Sequence, residues 1–579
     1  MHRVRGLVVA AVAAGFLLVT GVAHAQGVSF ANGDGITVDS QRLVNPSDPR
    51  LYQLMLTTTA IPATSQPADE EDLDILLPTN YNPATHYPVL YLYDGTEGLA
   101  SNWTQDGDAE ALTAGLPLIV VMPNIDIAGD GGGWCNNWTS STGVTENWTT
   151  YHIDQLIPWV DANLPTIADR GGRAIAGLSQ GGFCSISYAA RFPDLFSVAL
   201  AYSGAPDIWW DKPAYVGASA IIHFTEVYDD ELPPDTFFGN ELTDQLGWAA
   251  ADPATLAENL ANTKMYLYWG NGFPGCFPEV YTCDPDPSDY GEANLIEGAV
   301  YYSNEFFEER LDSLGIPAYF DYYGNGDHSW SYWTQDFQQS IGDIMSDLES
   351  PAPAPANVTY TSAANSYSVY GWNVTMDRSA QEFSTLSNAD SCGFNLSGSG
   401  SATVVTPDDY TPGQTYTVSL SGPNASGTET AVANASGQLS LSVPLGTANS
   451  YQEYTVQAIA AGTNIYTTAV TVLGQTPACA APAPPPPCAV PSPDDTGSQV
   501  ALGSTGDECA TDLSATPTGN AYTTSGQTLP TAPIGDTSTL PVGPALSGSG
   551  NATAQSGPAV SLAGNASAGD GLAIGGAGG

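Results

Sequence analysis

The chemistry in this chain centres on Ser179, held in Gly177-Leu-Ser-Gln-Gly181. That G-x-S-x-G spacing belongs to a sharp strand-to-helix turn that exposes a serine hydroxyl for attack on an acyl carbon. The turn is tight, so the residues two before and two after the serine must be small enough for strand and helix to pass closely. The N–H of Gln180, at the start of the following helix, then faces the oxyanion formed on attack. The flanks agree: Arg173-Ala-Ile-Ala176 reads as a buried strand, and Cys184-Ser-Ile-Ser-Tyr-Ala-Ala-Arg191 as a helix.

A serine hydroxyl needs a base, normally histidine, and an acid that orients it. In folds built around this turn the chain order is serine, acid, histidine. Histidines occur at 2, 24, 86, 152, 223 and 328. Only His328 follows the last strand-like run, in the polar, glycine-rich loop Gly324-Asn-Gly-Asp-His-Ser-Trp330, so it is the expected base. Asp284, Asp286, Asp289, Glu292 and Glu297 all lie between serine and histidine, and composition does not choose among them. Such chemistry calls for no cofactor.

The elements that must position these groups follow an α/β pattern. Residues 51–57 and 73–77 alternate in polarity and predict antiparallel strands. Residues 87–93 and 116–122 are continuous apolar runs, as expected of central strands covered on both faces. A helix is predicted over 149–163, with Ile153, Leu156, Ile157 and Val160 on one face. Strands follow at 197–202, 264–269 and 317–323, and helices at 295–314 and 334–348. Strands alternating with helices imply a mostly parallel sheet with its ligand at the C-terminal strand edge. Residues 207–262, rich in Trp, Pro and acids, are a candidate cap. Trp103, Trp134, Trp138 and Trp330 are candidates for a lipid or sugar groove or for packing, and Trp330 is expected at the substrate.

Five hundred and seventy-nine residues are too many for one ordinary domain. Residues 1–25 have a basic start, an apolar run and the small-residue cleavage site Ala23-His-Ala25, so a signal peptide is expected. Residues 26–350 are the expected catalytic domain. Residues 351–356, Pro-Ala-Pro-Ala-Pro-Ala, are a stiff linker. Alternating runs at 367–375, 414–420, 438–443, 454–459 and 465–470 predict an Ig-like β-sandwich over 357–474. Residues 475–579, rich in Pro, Gly, Ala, Ser and Thr, are expected to be disordered.

Eleven Lys and Arg face 61 Asp and Glu, a formal charge of −50. A chain this acidic repels phosphates, which excludes nucleic acid as a partner and favours an exported protein kept soluble by charge. Eight cysteines in an exported chain tend to pair. Cys276 and Cys283 bracket a short loop and are the expected disulfide. Cys135 and Cys392 are further candidates, and Cys184 reads as a buried helix cysteine. The alternating acids of 284–292 miss the spacing of a calcium loop and read as solvated, so no metal is expected.

Taken together, Leu76-Leu-Pro with Tyr87-Pro-Val-Leu-Tyr-Leu-Tyr-Asp-Gly95, Gly177-Leu-Ser-Gln-Gly181, Tyr268-Trp-Gly-Asn-Gly272, Leu295-Ile-Glu-Gly298 with Ser303-Asn304, and His328-Ser-Trp-Ser-Tyr-Trp333 resemble the antigen 85 mycolyltransferase and esterase family. The resemblance covers roughly residues 48–348. It implies an α/β-hydrolase fold with acyl-enzyme chemistry, Ser179 as nucleophile, Glu297 as acid and His328 as base. It also implies an oxyanion hole from the N–H groups of Thr96 and Gln180, with Asp94 on the substrate side. Trehalose-using members have an arginine soon after Asp-Gly, whereas this chain has Glu97 nearby. The expected activity is a secreted or wall-associated acyltransferase or esterase on acyl esters of carbohydrate or lipid. A feruloyl- or acetyl-type carbohydrate esterase and a non-catalytic wall-binding protein are the alternatives. Cell-wall polysaccharide is the expected partner of the β-domain, and the oligomeric state is left open.

Overall fold

The computed structural model describes residues 27–61, 73–125, 133–138, 146–229, 232–273, 276–277, 282–283 and 291–474. The expected signal peptide, the acidic run 284–290 and the expected disordered tail lie outside the described residues.

Among the described residues, eleven strands precede residue 350: β1 (Ile36–Leu43), β2 (Leu51–Thr58), β3 (Leu73–Leu76), β4 (Val89–Tyr93), β5 (Ile119–Pro123), β6 (Arg173–Leu178), β7 (Val198–Tyr202), β8 (Lys264–Trp269), β9 (Cys276–Phe277), β10 (Thr282–Cys283) and β11 (Tyr319–Tyr322). Nine of them form one sheet in the order β1-β2-β3-β5-β4-β6-β7-β8-β11. β1, β2 and β3 join antiparallel, and every pair from β5 to β11 is parallel. This is the α/β-hydrolase arrangement expected from the sequence.

Successive side chains of a strand point to opposite faces. Tyr91, Tyr93, Ile175 and Ala199 accordingly enter one buried cluster, while Leu90, Leu92, Ala176 and Leu200 enter another. The helices before residue 350 are α1 (Asn102–Gln105), α2 (Ala109–Leu112), α3 (Ile157–Asn163, entered through a π-helical segment Thr150–Leu156), α4 (Ser179–Arg191), α5 (Lys212–Phe224), α6 (Gln245–Ala251), α7 (Glu292–Leu314) and α8 (Trp330–Glu349). Trp159 of α3, Ile186 of α4 and Phe307 of α7 fill the first cluster; Phe337 and Ile344 of α8 fill the second. α8 begins four residues before the predicted start, because Trp330 and Trp333 pack inward against Trp103 and His328.

Residues 351–474 carry β12 (Val358–Ser362), β13 (Ser366–Val369), β14 (Trp372–Asp377), β15 (Ser384–Asp390), β16 (Gly393–Gly398), β17 (Ser401–Val405), β18 (Thr415–Gly422), β19 (Ala425–Val432), β20 (Ser440–Pro444), α9 (Val456–Ala461) and β21 (Tyr466–Leu473). The strands form a six-stranded and a four-stranded antiparallel sheet. Both sheets contribute to one buried cluster, with Val374 and Val404 from one meeting Leu396 and Val470 from the other.

Two predicted strands are corrected. Residues 367–375 form a hairpin, turning at Tyr370 and Gly371 with φ of +46° and +84°; two successive left-handed residues are what a tight hairpin needs. Residues 454–459 mostly form α9, because the Thr455 hydroxyl caps it by accepting from the N–H of Ala458 at 3.1 Å.

Candidate active site

Ser179 opens α4 directly at the end of β6, with φ at +52°. A left-handed non-glycine residue is uncommon, and here the turn imposes it. The glycines around it are forced by contact. A Cβ on Gly181 would lie 2.2 Å from the carbonyl oxygen of Asp94, and one on Gly177 would lie 2.5 Å from the Gly181 backbone. Gly182 and Gly204 meet the same way, at 2.8 Å.

His328 Nε2 lies 2.7 Å from Ser179 Oγ, and its Nδ1 lies 2.7 Å from Glu297 Oε2. The Glu297 side chain is fully buried and that of His328 is 7% exposed. Glu297 Oε1 accepts from the Ser203 hydroxyl at 2.9 Å and from the N–H of Gly270 at 2.7 Å. A carboxylate held by three donors is satisfied although buried. A proton on Nδ1 completes that set and leaves Nε2 to accept from the serine. The loop before His328 is zipped to the loop after β8: the N–H groups of Asn271 and Gly272 donate to the carbonyls of Gly324 and Gly326, both at 2.9 Å. Of the rival acids, Glu292 lies exposed at the start of α7, and Asp284, Asp286 and Asp289 lie outside the described residues.

Residues 65–344 match the model of the putative esterase family. Esterase Rv1288 of Mycobacterium tuberculosis is 33% identical over 279 residues, 47% of this chain and 54% of that protein. The diacylglycerol acyltransferase/mycolyltransferase Ag85B of Mycolicibacterium smegmatis is 25% identical over 276 residues, 45% of this chain and 77% of that one. Over this stretch the chain is similar to putative esterases and to antigen 85 proteins. It spans about half the length of the first curated relatives it matches, 54%. Among solved structures, that of MPT51 of Mycobacterium tuberculosis is 25% identical, covers 50% of this chain and 97% of its own, and has a TM-score of 0.39.

Around the serine, the protein ties its loops to one side chain. Gln180 Nε2 donates to Thr96 Oγ1 at 3.0 Å, and Gln180 Oε1 accepts the N–H of Trp134 at 2.9 Å. Gly95 stands close enough to the nucleophile that a Cβ there would lie 3.1 Å from Ser179 Cβ. Asp94 is buried and folds back on its own loop, accepting the N–H of Gly95 at 2.7 Å. Trp330 is half-buried, edge-on to Trp103 at 5.2 Å. Trp103, Trp134 and Trp138 are buried and pack rather than line a surface.

Cys135 pairs and Cys184 is buried on α4, as expected, but Cys184 is itself the partner. Cys184 is bonded to Cys135, with their Cα atoms 5.5 Å apart. The α4 face that carries Cys184 meets the loop of Cys135, a contact across 49 residues that spacing does not reveal. Cys392 is also disulfide-bonded. The backbones of Cys276 and Cys283 face each other in the β9–β10 ladder; their side chains lie outside what is described.

His86 is exposed, and two other described histidines have other partners. Burial pushes His152 down to about 3, and its ring nitrogens meet the Tyr188 hydroxyl and the Asn124 carbonyl. His223 pairs with Glu226 and Glu241. Ser203 and the N–H of Gly270 were not singled out from sequence as partners of the acid. Gly270 lies in the Tyr268-Trp-Gly-Asn-Gly272 stretch that carries part of the resemblance; Ser203, one residue past a central strand, gives no comparable signal.

Proposed function

We propose that this protein is an exported serine esterase or acyltransferase that forms an acyl-enzyme at Ser179. The observation that carries the reading is the imidazole of His328 bridging Ser179 and Glu297 with 2.7 Å on each side. Such a chain is what a hydroxyl nucleophile needs at neutral pH.

In the proposed mechanism His328 Nε2 takes the Ser179 proton as the hydroxyl attacks an ester carbonyl. Glu297 stabilises the imidazolium and stays ionised. The N–H groups of Thr96 and Gln180 receive the oxyanion, each lowering the barrier by about 3 kcal/mol. His328 then protonates the leaving alcohol, and water or a sugar or lipid hydroxyl resolves the acyl-enzyme by the reverse steps. The side chain of Gln180 supports this reading, because it ties the Thr96 loop to α4 and so fixes both N–H groups relative to Ser179.

The substrate is an acyl ester of carbohydrate or lipid, with Trp330 at its rim. The relatives' printed activities, esterase and diacylglycerol acyltransferase/mycolyltransferase, support this class. Glu97 is exposed on the Thr96 loop, a poor setting for an anionic acceptor. We take 1–25 as the leader, 26–350 as the catalytic domain, and 357–474 as an Ig-like β-sandwich that reaches wall polysaccharide.

A fluorophosphonate probe tests the reading. Covalent label on Ser179, abolished in Ser179→Ala, is expected; an unlabelled wild-type protein would favour the binding-protein alternative. A panel of p-nitrophenyl esters, with and without sugar acceptors, separates transfer from hydrolysis.

A further inference from the structure

We propose that the C-terminal β-module is a positioning element of the esterase site: the ring of Tyr454 braces Trp209, and through it the loop that presents Ser203 to Glu297. The proposal rests on the reading of Glu297 as the acid that orients His328.

The loop runs from the end of β7 to the start of α5. At its first residue the Ser203 hydroxyl donates to Glu297 Oε1 at 2.9 Å, and the Ser203 N–H donates to the Tyr268 carbonyl at 2.8 Å. Ser203 is fully buried with φ at +50°, a conformation serine rarely adopts unless its surroundings impose it. Residues 204–207 are held to α7, the helix that carries Glu297. Asn304 Nδ2 donates to the Gly204 carbonyl at 2.7 Å. Ser303 Oγ accepts the N–H of Asp207 at 2.8 Å and lies 2.9 Å from its carbonyl. The Asp207 carboxylate in turn accepts the N–H groups of Trp209 and Asp211, at 3.2 and 3.1 Å. The loop is therefore one hydrogen-bonded piece from Ser203 to Trp209.

Its outer end meets the β-module. The rings of Trp209 and Tyr454 lie 4.9 Å apart, and Trp209 is 4% exposed. Tyr454, Phe383 and Ala363 of the β-module belong to the same buried cluster as the hydrolase core. Tyr454 has φ at +65°, so its backbone also takes a conformation that its surroundings must impose. The residues beside it are fixed: Gln452 Nε2 hydrogen-bonds Asp244 Oδ1, and Glu453 Oε2 accepts the N–H of Phe383 at 2.7 Å.

The β-module is fixed elsewhere on the hydrolase too. Tyr360 and Tyr370 donate their hydroxyls to the carbonyls of Arg191 and Pro193 at 2.6 and 2.8 Å, at the far end of the helix that begins with Ser179. Asn259 exchanges two hydrogen bonds with the backbone of Thr361, at 2.8 and 3.0 Å. Arg170 donates to Ala352 at 3.0 Å, which pins the linker. A module held on both the nucleophile's helix and the acid's loop orders the site rather than swinging from a tether.

The test is a double-mutant cycle in the full chain on p-nitrophenyl butyrate, with kcat and KM read separately and melting temperatures recorded. Ser203→Ala is expected to lower kcat about tenfold by removing one hydrogen bond to the acid. Tyr454→Leu is expected to lower kcat about fivefold with KM nearly unchanged, while Tyr454→Phe keeps the ring and retains wild-type kcat. The double variant is expected to be no slower than Ser203→Ala alone, because the brace acts through that hydroxyl. Losses that multiply, an unchanged Tyr454→Leu, or a Tyr454→Phe as slow as Tyr454→Leu would each overturn the proposal. If Tyr454→Leu does not fold, Trp209→Phe takes its place in the same cycle. A wild-type protein that neither cleaves the ester nor takes the probe at Ser179 would instead overturn the esterase reading itself.

Discussion

The imidazole of His328 meets the hydroxyl of Ser179 at 2.7 Å across a sequence separation of 149 residues. Only the sheet brings them together, since one ends β6 and the other follows β11. If this contact performs the proposed chemistry, Ser179→Ala and His328→Ala each abolish ester cleavage. Glu297→Gln lowers kcat by about 10⁴, because a neutral amide no longer stabilises the imidazolium. Glu292→Gln, at an exposed helix start, leaves turnover unchanged. Steady-state kinetics on a p-nitrophenyl ester checks all four, and the opposite pattern for the two glutamates would reassign the acid.

The elbow glycines are expected to separate sharply from glycines in open space. Gly181→Ala drives a methyl to 2.2 Å from the Asp94 carbonyl oxygen, so α4 or the loop after β4 must move. The expected outcome is loss of soluble active protein. Gly342→Ala, inside α8 with nothing within 4 Å of the added Cβ, is expected to stabilise by about 0.5–1 kcal/mol. Thermal melts of the two variants decide it.

Opening the Cys135–Cys184 bond should cost both stability and activity. A closed loop of this length contributes up to about 4 kcal/mol in the chain-entropy model. The neighbouring N–H of Trp134 holds the Gln180 side chain. A Cys135→Ser, Cys184→Ser double variant is expected to melt several degrees lower and to lose kcat more than KM. Melting curves and steady-state kinetics of the double variant against the wild type check this.

His223 makes stability depend on alkaline pH. Burial opposes charge on its ring, but the hydrogen bonds and charges of Glu226 and Glu241 outweigh it and push its pKa up to about 10. The unfolded value is about 6.5. A raised folded-state pKa means the contribution is complete below about 6.5 and is lost as pH rises through about 10. The melting temperature of the wild type is therefore expected to fall more between pH 7 and 10 than that of His223→Gln. Parallel slopes for the two proteins would count against it.

The alternating strands and helices, the glycine-bounded serine and the histidine loop could be read from sequence because each is a local pattern: a strand buried on both faces needs a continuous apolar run, and a tight turn needs small residues. The hairpin at Tyr370-Gly371 and the cap of α9 at Thr455 were missed, because alternation alone cannot tell a turn or a short helix from a continuing strand.

Sequence by itself determined the fold class, the elbow and the short list of groups able to do acyl chemistry. Tertiary structure alone decided which distant partners meet: Cys135 with Cys184, Ser203 and Gly270 with Glu297, and Trp209 with Tyr454. Those pairings depend on how a sheet stacks its loops at one edge and how a second module docks beside them. No spacing along the chain encodes such distances, because they are set by packing between segments and not by order within one.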